Sequence, residues 1–153
     1  MEPTVVVTGA GTSLARPRPR VGQVMAVAAG GAIGAPLRYE LARCFPVAAG
    51  AFPATTLCVN VSGAFLLGVL VARLDRRYRW SGSVRAFLGV GFLGAYTTFS
   101  TFTIELVLLG KDGHTAIALV YAIASLVLGP GAVVLGVGCA SRLPRRNARV
   151  RTR

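Results

Sequence analysis

Four long apolar stretches dominate this chain and leave little room for any fold other than a helical membrane protein. They run from Val21 to about Leu41, from Ala54 to Ala72, from Val84 to Leu109 and from Thr115 to Ala140. Each is close to or above the roughly 20 residues that a helix needs to cross about 30 Å of hydrocarbon. Because they occupy most of the 153 residues, the sequence predicts an all-α membrane protein with four transmembrane helices and no separate soluble domain.

The composition supports lipid as the surroundings of this chain. Apolar residues make up 54% of it and charged residues only 14%, whereas a soluble domain carries about 25% charged residues. The net charge of +12 does not indicate nucleic acid, because its basic residues lie at segment ends and not across a folded face. We predict a disordered basic arm at 1–20, a transmembrane domain at 21–141 and a disordered basic tail at 142–153.

The distribution of basic residues predicts the orientation in the membrane. With four spans, the N-terminal arm, the loop between the second and third spans, and the C-terminal tail share one side. These segments hold all of the 17 basic residues except Arg38, Arg43 and Lys111. By the positive-inside rule, we expect a multi-pass protein of the cell membrane with both termini in the cytoplasm.

Small residues recur at four-residue spacing within the stretches, and this pattern permits close helix packing. Alternatively, Gly and Ala are simply common in membrane helices. The pairs at this spacing are Gly30 with Gly34, Ala64 with Gly68, Gly91 with Ala95, and Gly136 with Ala140.

Gly129-Pro-Gly131 is expected to disturb the fourth helix.

The third stretch contains the strongest signal for a special backbone. Glycines at 89, 91 and 94 precede five hydroxyl residues between Thr97 and Thr103. This pattern predicts a helix broken near mid-membrane, where freed carbonyl oxygens would suit a hard cation such as Na⁺. The alternative is an unbroken helix whose hydroxyls bond to its preceding turn.

Polar side chains inside the stretches are the candidates for function, because lipid cannot satisfy them. Thr56 and Asn60 are four residues apart on one helix face, and Asn60 brings two amide donors. A plain hydrogen bond between helices is the alternative for Asn60. Glu105, the only acid well inside a span, aligns with Thr98 and Thr101.

Two phenylalanines and two further hydroxyls extend this set. Phe99 and Phe102 share a face, where lipid contact is the default, but the electropositive edges of two rings also suit an anion. Tyr121 and Ser125 are four apart in the fourth stretch. Arg38 either extends to the interface or supplies positive potential at an anion vestibule. No residue set has metal-ligand or catalytic spacing, so we expect no enzyme.

Three ordered motifs carry a resemblance to a known family. They are GGAIGAPLRY at 30–39, TLCVNVSG at 56–63 and GAYTTFSTF at 94–102. Together with four spans between residues 25 and 130, they resemble the Fluc (CrcB) family of fluoride channels. The second glycine that often follows Gly94 in the family is Ala95 in this chain.

The resemblance implies a fluoride-specific channel that lowers cytoplasmic fluoride, and its toxicity, by passive efflux. It implies an antiparallel dimer of four-helix subunits in the lipid bilayer, with two fluoride pathways and a structural, untransported Na⁺ at its centre. Gly94 and Thr97 would offer backbone carbonyls to Na⁺, and Arg38 would lie at the vestibule. The pathway would be built from Thr56, Asn60, Phe99, Ser100, Thr101, Phe102, Glu105, Tyr121 and Ser125.

The uneven charge bears on the dimer. An antiparallel homodimer requires one sequence to insert both ways, which needs a nearly balanced basic bias. This chain is strongly biased. We therefore hypothesise a fixed-orientation subunit that pairs with a second, oppositely inserted homologue.

Two alternatives belong to other classes. A small multidrug-type exporter coupled to protons needs an acid in the middle of its first span, but Glu40 lies at the end of that span. A nonconducting membrane scaffold would depend on its basic tails. Fluoride efflux from liposomes distinguishes a channel from both.

Overall fold

The structure is a computed structural model that describes residues 20–75 and 82–142. Residues 1–19 of the predicted basic arm, 76–81 of the second loop and 143–153 of the tail lie outside the described residues. Within the described ranges the secondary structure is helical, with short connecting turns and no strand. The all-α prediction is therefore confirmed for this part of the chain.

The helices follow the four apolar stretches. The helical structure of the third stretch is interrupted, and it includes a π-helical segment at Ala86–Leu93. The helices are α1 Val21–Cys44, α2 Ala54–Asp75, α3 Gly82–Arg85, α4 Gly94–Tyr96, α5 Phe99–Lys111 and α6 Thr115–Arg142.

Three helical segments are long and apolar enough to cross a membrane by length and composition. They are Ala54–Arg73, Gly82–Lys111 and Thr115–Arg142, so the chain is a multi-pass membrane protein. The helix α1 has 24 residues, and at 1.5 Å per residue it is about 36 Å long. It falls outside that apolar group because its residues are mostly small.

Two close helix pairs organise the molecule. The helix α1 packs on the π-helical segment, where a Cβ added to Gly30 or Gly34 would overlap the carbonyl oxygen of Phe87 or Phe92. The helix α2 packs on α6, where a Cβ on Gly68 would overlap the Val133 carbonyl oxygen. A Cβ added to Gly91 or Gly136 would likewise overlap a backbone carbonyl oxygen of the facing helix. The predicted close packing at small residues is confirmed at these positions.

The predicted disturbance at Gly129-Pro-Gly131 does not end the fourth helix. The helix α6 is continuous through Pro130. Proline lacks a backbone donor, but membrane helices tolerate this loss through neighbouring groups and small local adjustments. A Cβ added to Gly129 or Gly131 would meet no neighbouring atom within 4 Å, so no close helix contact requires glycine at either position.

Large apolar side chains cover the outside of the bundle, while its few buried residues are mostly small. Leu126 and Val134 of α6 are 73% and 70% exposed. In a soluble protein such a surface would drive aggregation. On membrane-spanning helices such a surface is suited to contact with lipid.

Candidate functional site

The backbone leaves the helical conformation at Thr97 and Thr98, between α4 and α5. Thr97 has φ −78° and ψ 158°, and Thr98 has φ −145° and ψ 125°. Both are extended conformations that β-branched residues favour. The chain resumes its helix at Phe99.

Thr98 caps the new helix with its side chain. Its Oγ1 accepts a hydrogen bond from the Thr101 amide at 3.2 Å and donates one to Thr101 Oγ1 at 3.0 Å. Threonine is a favoured residue at this position because its oxygen satisfies a free amide of the first turn. The hydroxyl run thus contains a helix start.

Asn60 of α2 holds the interruption from the side. Its Nδ2 donates to the Thr98 carbonyl oxygen at 2.9 Å, and its Oδ1 accepts from the Thr98 amide at 2.8 Å. A two-bond contact of this kind replaces the helical partners that Thr98 lacks. One N–H of the Asn60 amide remains beyond the bond to Thr98.

These contacts change the surroundings of the two carbonyls proposed as cation ligands. In a continuous helix, the amide of Thr98 would bond to the carbonyl of Gly94, and that of Thr101 to the carbonyl of Thr97. Both amides bond to side-chain oxygens instead. The Gly94 and Thr97 carbonyls therefore lack their usual helical donors, and neutral oxygens of this kind fit a hard cation such as Na⁺.

Some hydroxyls of the run follow the alternative that the sequence left open. Thr97 Oγ1 donates to the Leu93 carbonyl at 2.9 Å, and Thr103 Oγ1 donates to the Phe99 carbonyl at 3.0 Å. Both are bonds to the preceding turn. Thr98 and Thr101 bond to each other across the start of α5, so the run divides into two groups.

Glu105 joins three helices through its two carboxylate oxygens. Thr56 Oγ1 donates to one oxygen at 2.7 Å, and the Tyr121 hydroxyl donates to the other at 2.7 Å. Both distances lie in the ordinary range of O–H···O hydrogen bonds. Tyr121 has no exposed surface, so α2, α5 and α6 meet around this carboxylate.

Aromatic rings surround the Tyr121 ring and extend to the outside of the subunit. The rings of Phe102 and Phe52 approach it edge-on, with centroid distances of 5.1 Å and 5.6 Å. Phe99 and Phe102 lie 5.8 Å apart with a 41° tilt, and Phe99 is 78% exposed. The two phenylalanines therefore connect an outer face to the polar cluster.

A cavity of about 220 Å³ connects the predicted vestibule to this cluster. It brings Arg38 together with hydroxyl residues of α2 and α5 that are far apart in sequence. A cationic side chain and four threonine hydroxyl groups thus line one space, although the hydroxyls of Thr55, Thr56 and Thr98 donate to protein oxygens. The cavity is lined by Arg38, Tyr39, Ala42, Thr55, Thr56, Val59, Thr98 and Thr101.

Two predicted residues lie at the margin of this arrangement. Ser100 is exposed, and its Oγ is 3.3 Å from Thr98 Oγ1. Ser125 is half-buried one turn along α6 from Tyr121 and takes no part in the contacts above. The cluster proper therefore consists of Asn60, Thr98 and the residues around Glu105.

Two residues of the site were not among the predicted site residues. Phe52 precedes α2 and reaches the Tyr121 ring from a loop, and no periodicity marks a contact of that kind. Thr98 was predicted to share a face with Thr101 and Glu105 but not to cap a helix. Its spacing from Thr101, directly before an apolar helix, is a recognisable helix start.

The fold and the site define a class, that of small multi-pass helical membrane proteins with a polar cluster across an interrupted helix. Residues 25–137 match the family model described as "CrcB-like protein, Camphor Resistance (CrcB)". The match covers well over half of the chain, so the chain belongs to the CrcB family. The resemblance seen in the three motifs is confirmed.

Curated relatives match most of the chain. A protein of Streptomyces avermitilis named "Fluoride-specific ion channel FluC 3" is 41% identical over 138 residues, which is 90% of this chain and 68% of the relative. One of Saccharophagus degradans named "Fluoride-specific ion channel FluC" is 42% identical over 119 residues, or 78% and 90% of the two chains. One of Nitrobacter hamburgensis named "Fluoride-specific ion channel FluC 1" is 41% identical over 115 residues, or 74% and 91%.

Proposed function

We propose that the chain is one subunit of a fluoride-specific channel that carries fluoride out of the cytoplasm by passive diffusion. The observation that carries this proposal is the polar cluster in an apolar bundle, which runs from the Arg38 cavity through Thr56 to Glu105 and Tyr121. Relatives named as fluoride-specific ion channels support the choice of ion.

The residues of the cluster suit a small, strongly hydrated anion. A pore must replace the water shell of fluoride with hydrogen-bond donors, and hydroxyl and amide groups are such donors. The proposed pathway consists of Thr56, Asn60, Phe99, Ser100, Thr101, Phe102, Glu105, Tyr121 and Ser125, with Arg38 at the vestibule.

Conduction also needs weak sites from which the ion can leave. No Lys or Arg lies between Gly89 and Leu109 or between Thr115 and Ala140, so no fixed cation would trap fluoride there. The phenyl edges of Phe99 and Phe102 offer a positive electrostatic surface without a full charge. The inside-negative membrane potential assists the exit of an anion, and efflux of this kind lowers fluoride toxicity.

The assembly in this proposal is an antiparallel dimer in which α1 also crosses the membrane and the third span is broken near its middle. The Gly94 and Thr97 carbonyls of each subunit would hold a structural Na⁺ at the dimer centre. The cation would supply the charge that compensates these oxygens and would link the subunits. Support comes from the amides of Thr98 and Thr101, which bond to side chains and leave those carbonyls without their helical donors.

The basic bias supports a fixed orientation with both termini in the cytoplasm. In the proposed pair, the second subunit is therefore a homologue that inserts in the opposite direction. The proton-coupled exporter is less well supported, because Glu40 lies at the end of α1 and pairs with Arg43 at 3.6 Å on an exposed surface.

Growth in fluoride tests the proposed function. A bacterium that lacks its own fluoride channels is transformed with the chain, and with an oppositely inserted homologue where one is needed. We expect growth at fluoride concentrations that stop the untransformed strain. Phe102→Ile should abolish this protection, because an aliphatic side chain has no electropositive edge.

Thr103→Ala is the matched control, because its hydroxyl bonds only to its own helix and faces outward. It should protect as well as the wild-type chain. Equal protection by Phe102→Ile and the wild-type chain would contradict the role of the rings. No protection by the wild-type chain, at equal expression, would contradict the channel.

A further inference from the structure

We infer that Asn60 and Thr98 are positioning residues for the sodium ion, because their side chains hold the two backbone amides that would otherwise occupy the Gly94 and Thr97 carbonyls. The inference rests on the proposed function for the sodium ion itself. In this inference the Asn60 and Thr98 side chains keep the two carbonyls free for the cation without touching the cation themselves. The interruption of the third span becomes a structure maintained by specific hydrogen bonds.

Asn60 keeps the Thr98 amide away from the Gly94 carbonyl. The Thr98 amide can only donate and its carbonyl can only accept, so the orientation of the Asn60 amide is fixed by its two partners. The acceptor Oδ1 takes the N–H that the Gly94 carbonyl would receive in a helix. The donor Nδ2 satisfies the Thr98 carbonyl, and the extended backbone of Thr98 is thereby stabilised.

The Thr98 hydroxyl keeps the Thr101 amide away from the Thr97 carbonyl. Its Oγ1 accepts the amide of Thr101, which would otherwise bond to the carbonyl of Thr97. Thr98 is only 9% exposed, so water does not readily replace this bond. Thr98 thus binds Asn60 through its backbone, and its side chain leaves the Thr97 carbonyl without a helical donor.

Gly63 provides the space that the extended backbone needs. It lies buried on α2, close to Asn60, and a Cβ added to it would overlap Cγ2 of Thr97. A larger residue at position 63 would push Thr97 out of its position. Asn60 and Gly63 therefore act on neighbouring residues of the interruption from the same helix.

The consequence for cation binding follows from competition. A partly buried amide needs an acceptor, and without Asn60 Oδ1 the Thr98 amide can regain the Gly94 carbonyl when the helical turn re-forms. Sodium would then have to displace a hydrogen bond. One such bond corresponds to about fivefold in apparent affinity for each carbonyl recaptured.

The test measures thermal unfolding of the purified dimer against sodium concentration, with N-methylglucamine chloride keeping the ionic strength constant. Asn60→Ala and Thr98→Ala remove the two side-chain acceptors. Thr98→Ser keeps the hydroxyl and is the conservative rescue, while Thr103→Ala is the control. Fluoride flux of each variant is measured separately in liposomes.

We expect Asn60→Ala and Thr98→Ala to raise the sodium concentration of half-maximal stabilisation by about fivefold or more. Thr98→Ser and Thr103→Ala should keep the wild-type value. A uniform loss of stability at every sodium concentration, with an unchanged half-maximal value, would overturn the inference. If Asn60→Ala fails to fold, the comparison of Thr98→Ala with Thr98→Ser decides the question alone.

The two proposals fail separately in this design. Wild-type protein that conducts fluoride but shows no sodium-dependent stabilisation would overturn the positioning role and leave the channel intact. Wild-type protein that conducts no fluoride, yet shows the expected sodium shifts in its variants, would support the positioning role and overturn the channel.

Discussion

Glu105 is the residue on which the contacts of the cluster converge. Each of its carboxylate oxygens accepts one hydroxyl, from Thr56 and from Tyr121. A carboxylate in an apolar bundle costs much free energy unless such donors surround it. The cluster is therefore a stabilising element of the fold as well as a candidate pathway.

Tyr121→Phe tests this contact. The change removes one donor and adds no volume, so a carboxylate oxygen loses its partner in a half-buried position. We expect the free energy of unfolding to fall by about 1–3 kcal/mol, measured by thermal or denaturant unfolding in detergent. Fluoride flux should fall as well.

Tyr39→Phe is the control, because Tyr39 is 63% exposed and its hydroxyl is not part of the Glu105 contact. It should unfold like the wild-type protein. A Tyr121→Phe protein as stable as the Tyr39→Phe protein would show that the bond to Glu105 contributes nothing to the fold.

At the residue scale, the sequence predicted Thr56, Glu105 and Tyr121 as candidate residues, and the structure brings them together, but the sequence did not predict how they meet. Thr56, Glu105 and Tyr121 were found because lipid leaves few explanations for polar groups in apolar stretches. Their shared hydrogen bonds depend on the relative rotation and height of three helices, which no spacing within one helix encodes. The contact from Asn60 to the backbone of Thr98 was hidden for the same reason.

At the scale of elements, α1 touches the π-helical segment, and α2 touches α6, through backbone at glycines. A Cβ on Gly136 of α6 would overlap the carbonyl oxygen of Phe65 on α2, whereas Gly138, two residues later, has nothing within 4 Å. The two positions form a matched pair on one helix. They separate the effect of packing from that of helix propensity.

Gly136→Ala should lower the free energy of unfolding by about 1–3 kcal/mol, because the helices must move apart. Gly138→Ala should leave it unchanged or raise it by up to about 1 kcal/mol, because alanine favours the helix. Thermal unfolding of both variants in one detergent measures the difference. Equal stability of the two would contradict the close contact between α2 and α6.

Helix positions were the most predictable elements, because the stretches from Val21, Ala54 and Thr115 begin where the helices begin. Apolar length determines them, and the charged or Gly- and Pro-containing connectors set their ends. The π-helical segment at Ala86–Leu93 was not predicted. Its wider turn has no signature in residue type, and it lies where α1 approaches most closely.

At the scale of the whole molecule, the charge distribution constrains how two subunits can meet. We predict that a reporter fused to the C-terminus is found on the cytoplasmic face alone, because nearly all basic residues lie in segments on that side. Fusions to a cytoplasmic fluorescent protein and to a periplasmic phosphatase measure this. Equal signals from both would show dual insertion and remove the need for a second homologue.

Fluoride efflux from liposomes tests the central claim most directly. Purified protein, combined with its oppositely inserted homologue where required, is reconstituted into vesicles loaded with fluoride or with chloride, and a halide electrode follows release without any proton gradient. The account predicts rapid fluoride release and chloride release no faster than from empty vesicles. Fluoride release equal to that of empty vesicles would contradict it.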